Sequence, residues 1–273
     1  MDEAIILAAT DLSARSDRAI DRALMLGGDL GRPVAVVHVV EDAARTGGDP
    51  AALQGAVRLA LPDPDADIAI IVESGPAPET IAAVAKTRDA AIIVTGVARF
   101  NGLGDYLLGT AVDRLIRHSR RPVLVAKQRP HAPYRRIVCA VDFSDHSGHA
   151  LRMALRLFPH CRVRALHAYH VAFEGWQKDA YVREEAAATA QRDFDRFLDG
   201  LDLSAQDRER LETRVAYGDP APALRAETED GDIDLVVLGT HGMGGVRQAT
   251  MGSTASSLMH GVTPDTLVIP PPE

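Results

Sequence analysis

The sequence predicts an α/β protein of two repeated domains, each an open, twisted, five-stranded parallel sheet with helices on both faces. Three observations carry this prediction. Short apolar, β-branched runs alternate with helically periodic segments along the whole chain, as in a sheet built from strand–helix–strand units. The same order of motifs then occurs a second time, and 273 residues leave room for two domains of about 130, a usual size for one core. Aromatic residues make up only 4% while alanine and valine abound, which suits buried parallel strands under close-packed helices.

In the first half, strands are expected at residues 5–9, 34–39, 68–72, 92–95 and 123–126, with helices at 16–31, 78–87 and 110–118. In the second half the strands are 137–141, 163–167, 213–216, 235–238 and 266–269, and the helices 147–158, 222–229 and 253–260. Ser13 and Ser144 stand where the caps of the first helices are expected. Residues 179–201 read as a long amphipathic helix with Phe194, Phe197, Leu198 and Leu201 on one face. Its counterpart in the first half is shorter and broken by Gly47-Gly48-Asp49-Pro50. A linker at 128–134, stiffened by Pro130 and Pro133, separates domains expected at 1–128 and 135–273.

The duplication is legible residue by residue. Asp11, Ser13, Ser16 and Ala19 keep the spacing of Asp142, Ser144, Ser147 and Ala150. Val34-Ala-Val-Val-His38 matches Val163-Arg-Ala-Leu-His167, and Val72-Glu-Ser-Gly75 matches Val215-Ala-Tyr-Gly218. Ile92-Ile-Val-Thr-Gly96, with Gly109-Thr110 downstream, matches Leu235-Val-Val-Leu-Gly239 with Gly252-Ser253. Repeats of this length are whole domains rather than solenoid units.

The most informative stretch is Gly239-Thr-His-Gly242, nine further residues, then Gly252-Ser253-Thr254. It follows the apolar run Asp234-Leu-Val-Val-Leu238 and precedes Ala255-Ser-Ser-Leu-Met259, so it reads as strand, glycine-bearing loop and helix. Glycine lets the backbone approach a ligand without a Cβ in the way, and the free N–H groups of a helix start favour an anion, phosphate above all. The spelling excludes the commoner phosphate loops: no Gly-Lys pair occurs, and Gly242-Met-Gly244 is followed by Arg247 where a dinucleotide fingerprint needs glycine. In the first half Gly96-Val-Ala-Arg99 puts arginine in the place of the second glycine, and Asp105 adds like charge. One working site and one structural copy are expected.

The tandem pattern resembles the universal stress protein family, in its two-domain form, over nearly the whole chain. The Gly239-x2-Gly242-x9-Gly252-Ser253 spacing matches the ATP-binding pattern of the family's nucleotide-binding branch, and the strand-then-Asp-x-Ser opening of each half is a second match. The resemblance implies strand order 3-2-1-4-5, which makes strands 1 and 4 neighbours at a topological switch point. It further implies ATP or ADP, with Mg²⁺, held in the C-terminal half. Asp142 would meet the base, Ala168 would contact the nucleotide through its backbone, and Gly239, His241, Gly242, Gly252, Ser253 and Thr254 would surround the phosphates. For Asp142 an Asx turn at the strand-to-helix bend is the competing reading, and His241 has that of an ordinary loop histidine. The halves are expected to pair as an intramolecular pseudo-dimer through the fifth strands, with association of two chains as a further option.

Bulk properties narrow the function classes. The formal net charge of −8 argues against a nucleic-acid binder working through a global basic field. Arg114, Arg117, Arg120, Arg121, Lys127, Arg129, Arg135 and Arg136 read as a solvated helix face plus linker, or as a patch for an acidic partner. No apolar run approaches the roughly 18 residues of a membrane span, and the start Met-Asp-Glu lacks a basic leader. With Cys139 and Cys161 as small buried hydrophobes, a cytoplasmic protein is expected. His146/His149 and His167/His170 have spacings a metal could use, but no set of four ligands is evident, so no metal site is assigned. No Gly-x-Ser-x-Gly elbow supports acyl transfer, and no catalytic residue is assigned. The expected role is a stress-linked regulatory module with an unidentified protein partner. A slow ATPase or autophosphorylating protein, with Ser253 or Thr254 as acceptor, and a ligand-free scaffold are the alternatives.

Overall fold

Two runs of alternating strands and helices fold into one continuous sheet. The computed structural model describes residues 4–14, 16–41, 49–97, 110–170, 180–229, 232–240 and 252–272. The first half comprises β1 (Ile6–Thr10), α1 (Asp17–Leu30), β2 (Val34–Val40), α2 (Pro50–Leu59), β3 (Ala69–Ser74), α3 (Ala77–Thr87), β4 (Ile92–Gly96), α4 (Thr110–His118) and β5 (Val123–Ala126). The second comprises β6 (Arg136–Ala140), α5 (Asp145–Leu157), β7 (Arg162–Tyr169), α6 (Ala180–Asp199), α7 (Ala205–Glu209), β8 (Leu211–Tyr217), α8 (Pro220–Glu229), β9 (Leu235–Gly239), α9 (Ser253–Gly261) and β10 (Asp265–Ile269).

The strand order is β3-β2-β1-β4-β5-β10-β9-β6-β7-β8, which is 3-2-1-4-5 in each half, read inward from its outer edge. Pairing is parallel within each half and antiparallel where β5 meets β10. The expected pair of five-stranded sheets is thus a single ten-stranded sheet. Leu124 pairs with Leu267, flanked by Val123 with Val268 and Val125 with Thr266. Repeat-equivalent residues face each other there, which is the isologous arrangement of a two-fold interface made inside one chain.

Helices cover both faces, which is why strands such as β1, β5 and β10 are buried along their whole length. One layer joins Ile6, Ala19, Ile20, Ile137, Leu151, Leu155 and Phe194 under α1, α5 and α6. The other joins Leu7, Ile93, Leu115, Val138, Leu224, Leu258 and Met259 under α3, α4, α8 and α9. Neighbouring strand residues alternate between the layers, as period-2 geometry requires.

Two cap assignments differ from the sequence reading. Ser144 caps α5, its hydroxyl accepting from the Ser147 N–H at 3.2 Å. In the first half Ser16, not Ser13, is the N-cap, and it makes no side-chain cap bond. Its hydroxyl is taken up by the Ser13 carbonyl and the Thr10 hydroxyl, the latter a group that the second half replaces with Val141. Asp49, read from sequence as part of a break, instead caps α2 with Pro50 at its first turn. The short helix α7 was not expected, although Ser204 caps it: its hydroxyl accepts from the Asp207 N–H at 3.1 Å and donates to the Asp207 carboxylate at 2.7 Å.

The linker is held at both ends. Asp265, at the start of β10, accepts from the backbone N–H of Lys127 (2.8 Å) and Gln128 (3.1 Å) and from the Tyr134 hydroxyl (2.5 Å). It also pairs with Arg22 of α1 at 3.0 Å, and the Arg22 guanidinium lies 4.2 Å from the centroid of the Tyr134 ring. Asp234 accepts the N–H groups of Arg135 and Arg136. Of the basic residues of this region, Arg114 pairs with Glu79, Arg121 with Asp89, Arg135 with Asp29 and Arg136 with Asp232, Lys127 is buried, and Arg117, Arg120 and Arg129 are exposed.

Candidate functional site

β6 and β9 lie side by side in parallel, with Cys139 opposite Val237. Three residues beyond those positions, Asp142 and Thr240 leave the sheet at the same edge. The chain then departs to opposite faces: α5 packs in one layer and α9 in the other. This is the switch point at which open α/β sheets leave a crevice beyond the carboxyl ends of their strands. β1 and β4 repeat it in the first half.

At the β6 end, Asp142 forms an Asx turn. Its Oδ1 accepts from the Ser144 N–H at 3.1 Å and the Ser144 hydroxyl at 2.6 Å. Asp11 does the same with Ser13 at 3.0 and 2.5 Å. Burial pushes the Asp11 carboxyl up, but the Ser13 and Ser16 donors outweigh it and hold the group below its ordinary value. The turn places Leu12 at φ 60° and Phe143 at φ 64°, uncommon for such side chains. Both halves therefore build the same strained loop that presents a carboxylate at the strand end.

A histidine supports each loop, and sequence reasoning assigned it no role. His167 Nδ1 lies 2.9 Å from the Val141 carbonyl, and His38 Nδ1 lies 3.0 Å from the Thr10 carbonyl. A carbonyl only accepts, so in both rings Nδ1 carries the proton. Each imidazole of the second strand thus fixes the residue just before the aspartate. The signal was present in the match of His38 to His167. Phe143 stacks on His167 with centroids 3.9 Å apart.

At the β9 end, Gly239 is the last strand residue, paired with Ile269. Thr240 N–H donates to the Ile269 carbonyl (3.1 Å), and Gly252 N–H to the Thr240 carbonyl (3.0 Å). The loop is thereby closed at its base, and the expected contribution of the Gly252 N–H to phosphate is spent inside the protein. Ser256 N–H makes the first helical bond, to the Gly252 carbonyl. The first-turn N–H groups of Ser253, Thr254 and Ala255 have no acceptor within α9 by helix geometry, and Thr254 is exposed. Gly252 itself has φ −58° and ψ 148°, which any residue adopts. Among the described residues, a Cβ there would meet only the Thr240 carbonyl oxygen, at an ordinary 3.6 Å. Neither its backbone conformation nor its packing against the described residues requires glycine at 252. His241 and Gly242 lie outside the described residues, as do Arg247 and, in the first half, Arg99, Asp105 and Gly109.

Ala168 is not in a loop after the second strand, as expected, but inside β7 opposite Ala216. It faces the layer of α8 and α9, while His167 and Tyr169 face α6. On that second side lies a cavity of about 400 Å³ between Phe143, His167 and Tyr169 and the α6 residues Glu185, Thr189 and Asp193. Its walls share none of the expected nucleotide residues.

Among the described residues, no three His, Cys, Asp or Glu side chains come together to hold a metal ion. His167 and His170 diverge, His170 pairing with Asp219 at 2.9 Å. Burial pushes the Cys139 thiol up to about 12 and, with the help of Asp29, the Cys161 thiol up to about 11, so neither supplies a thiolate nucleophile near neutral pH. Among the described residues no helix is long and apolar enough to cross a membrane.

Comparison with known proteins agrees with this architecture. The model of the universal stress protein family matches the chain twice, over residues 4–127 and 133–270. A protein of unknown function from Pseudomonas aeruginosa PAO1 has a similar structure, with a TM-score of 0.71 and 17% identity over 98% of this chain and 93% of its own. A universal stress protein from Archaeoglobus fulgidus DSM 4304 aligns over 99% of both chains with a TM-score of 0.67 and 16% identity. Both likenesses bear on the fold. With its two halves each matched in full, the chain belongs to the universal stress protein family and carries that domain in tandem.

Proposed function

We propose that the chain binds an adenine nucleotide, ATP or ADP, at the β6–β9 switch point of its C-terminal half and acts as a nucleotide-responsive regulatory module. The observation that carries this reading is Gly252: a glycine with an ordinary φ, for whose missing Cβ the described residues leave room, at the start of the helix that follows the crevice. A glycine that the described residues do not require suits a ligand that approaches the backbone there. The free N–H groups of Ser253 and Thr254, with the positive end of α9, suit phosphate oxygens. Gly239, His241 and Gly242 would line the loop that crosses the phosphates. Asp142 stands one strand away, where its carboxylate can accept from the amino group of a base, and Ala168 would close the base side by its backbone.

Mg²⁺ fits this site as a companion of the nucleotide rather than as a protein-held ion. A magnesium ion takes phosphate and water oxygens readily, and no described cluster of side chains competes for it. The test is mass spectrometry of small molecules released from freshly purified, denatured protein. ATP or ADP near one per chain supports the reading. Its absence, with no binding of added Mg-ATP, overturns it in favour of a ligand-free scaffold.

A further inference from the structure

The helix that carries the candidate phosphate site is held at its other end by the opposite half of the chain. Lys127, just past β5, extends its ammonium group to the Met259 carbonyl (2.6 Å) and the Val262 carbonyl (2.9 Å), at the C-terminal end of α9. The lysine is only 6% exposed. Its own N–H is fixed to Asp265, which in turn holds Tyr134 and pairs with Arg22. Arg22 also donates to the Ala132 carbonyl, tying α1 of the first half into the same cluster. The last turn of α9 and the start of β10 are therefore clamped by residues of the first half and the linker.

The clamp is one-sided. The isologous β5–β10 pairing defines a second position related by the pseudo-two-fold, where the counterparts of Lys127 and Asp265 are Pro270 and Pro122. Neither proline has an N–H or a charge, so α4 receives no reciprocal lysine from the second half. The clamped helix is the one that follows the complete glycine motif; the other follows Gly96-Val-Ala-Arg99.

From this geometry we infer that Lys127 is a positioning residue for the phosphate site, through which the N-terminal half sets the nucleotide affinity of the C-terminal half. This rests on the nucleotide reading above. A cation at the C-terminal end of a helix reinforces the dipole whose positive end faces the anion. It also fixes α9 lengthwise. The nine residues span about 13 Å at 1.5 Å per residue, so Lys127 acts without touching the nucleotide.

The test is calorimetric titration of the full chain with Mg-ATP, for wild type and Lys127→Met. The inference predicts one site in wild type and roughly fivefold weaker binding in the variant, the size of a partly buried charge–helix interaction. Equal affinities overturn the inference and leave the nucleotide reading intact, whereas a wild type that binds nothing overturns both. A second measurement needs no variant. Coupling is reciprocal, so Mg-ATP should slow amide hydrogen exchange at Lys127 and Gln128, whose N–H groups bond to Asp265. Exchange there unchanged by saturating Mg-ATP, in protein that binds it, overturns the inference.

Discussion

The two halves share a scaffold and differ in what is placed on it. Both present an aspartate in an Asx turn, both hold the preceding carbonyl with a histidine of the second strand, and both pair strand 1 with strand 4. They part at the loop after the fourth strand, where one has Gly242 and the other Arg99, and at the junction, where Lys127 and Asp265 answer to Pro270 and Pro122. The shared features build a crevice. The unshared ones brace one helix and not the other, and on the proposed reading furnish one crevice only.

The largest expected effect breaks the bracing. Asp265→Ala leaves the buried Arg22 and Lys127 without their carboxylate, a change expected to cost about 3–5 kcal/mol. Thermal unfolding should show a large loss of Tm, whereas Pro122→Ala at the equivalent position should shift it little. Next is the site itself. Gly252→Ala should weaken Mg-ATP by at least about tenfold, because a methyl group enters the ligand's path, while the weaker helix cap lowers stability by about 1 kcal/mol or less. Loss of fold without added loss of binding would contradict this reading of the glycine. Asp142→Asn keeps the acceptor of the Asx turn but removes the charge. It should reduce ATP affinity with little change in Tm, and Asp11→Asn should change neither, as titration of the two variants will show.

The smallest effect is in pH. Burial pulls the Lys127 ammonium down from 10.5 to about 8, against the opposing pull of Asp265. A folded value below the unfolded one means that this residue's contribution to stability is complete above about 10.5 and is lost as pH falls through about 8. The Tm difference between wild type and Lys127→Met should therefore shift in favour of wild type as pH rises across that window. Asp265 in turn pairs with Arg22 and accepts from the Tyr134 hydroxyl. Burial first, and then Asp265, keep the Tyr134 phenol protonated well beyond its ordinary range, so it stays a donor throughout.

Most of the fold was legible because hydrophobic period and repeat spacing are local. The ten strands fall where β-branched runs stand, and the fifth strands pair as their exposed edges suggested. What escaped was long-range or degenerate. Lys127 and Asp265 meet across 138 positions, and in sequence a lone lysine past a strand reads as solvated. Ser13 was read as the cap of α1, but the N-cap is Ser16, whose hydroxyl meets that of Thr10. Ala168 fell inside a strand because β7 runs to Tyr169, two residues beyond the apolar run that marked it. At the site, Asp142 showed the Asx turn that was its competing reading, and that turn also presents its carboxylate at the crevice. His38 and His167 were visible as a repeated pair, but nothing in a sequence says that a ring nitrogen meets a carbonyl on the next strand.

The central claim is one nucleotide site, in the second half only. Isothermal titration of the full chain with Mg-ATP tests it directly, with Arg99→Gly and Gly252→Ala alongside. The account predicts a stoichiometry of one in wild type, at least about tenfold weaker binding in Gly252→Ala, and a second, weaker site in Arg99→Gly, where the glycine is restored but the lysine clamp is still missing. Two sites in wild type, or one that survives Gly252→Ala unchanged, would contradict it.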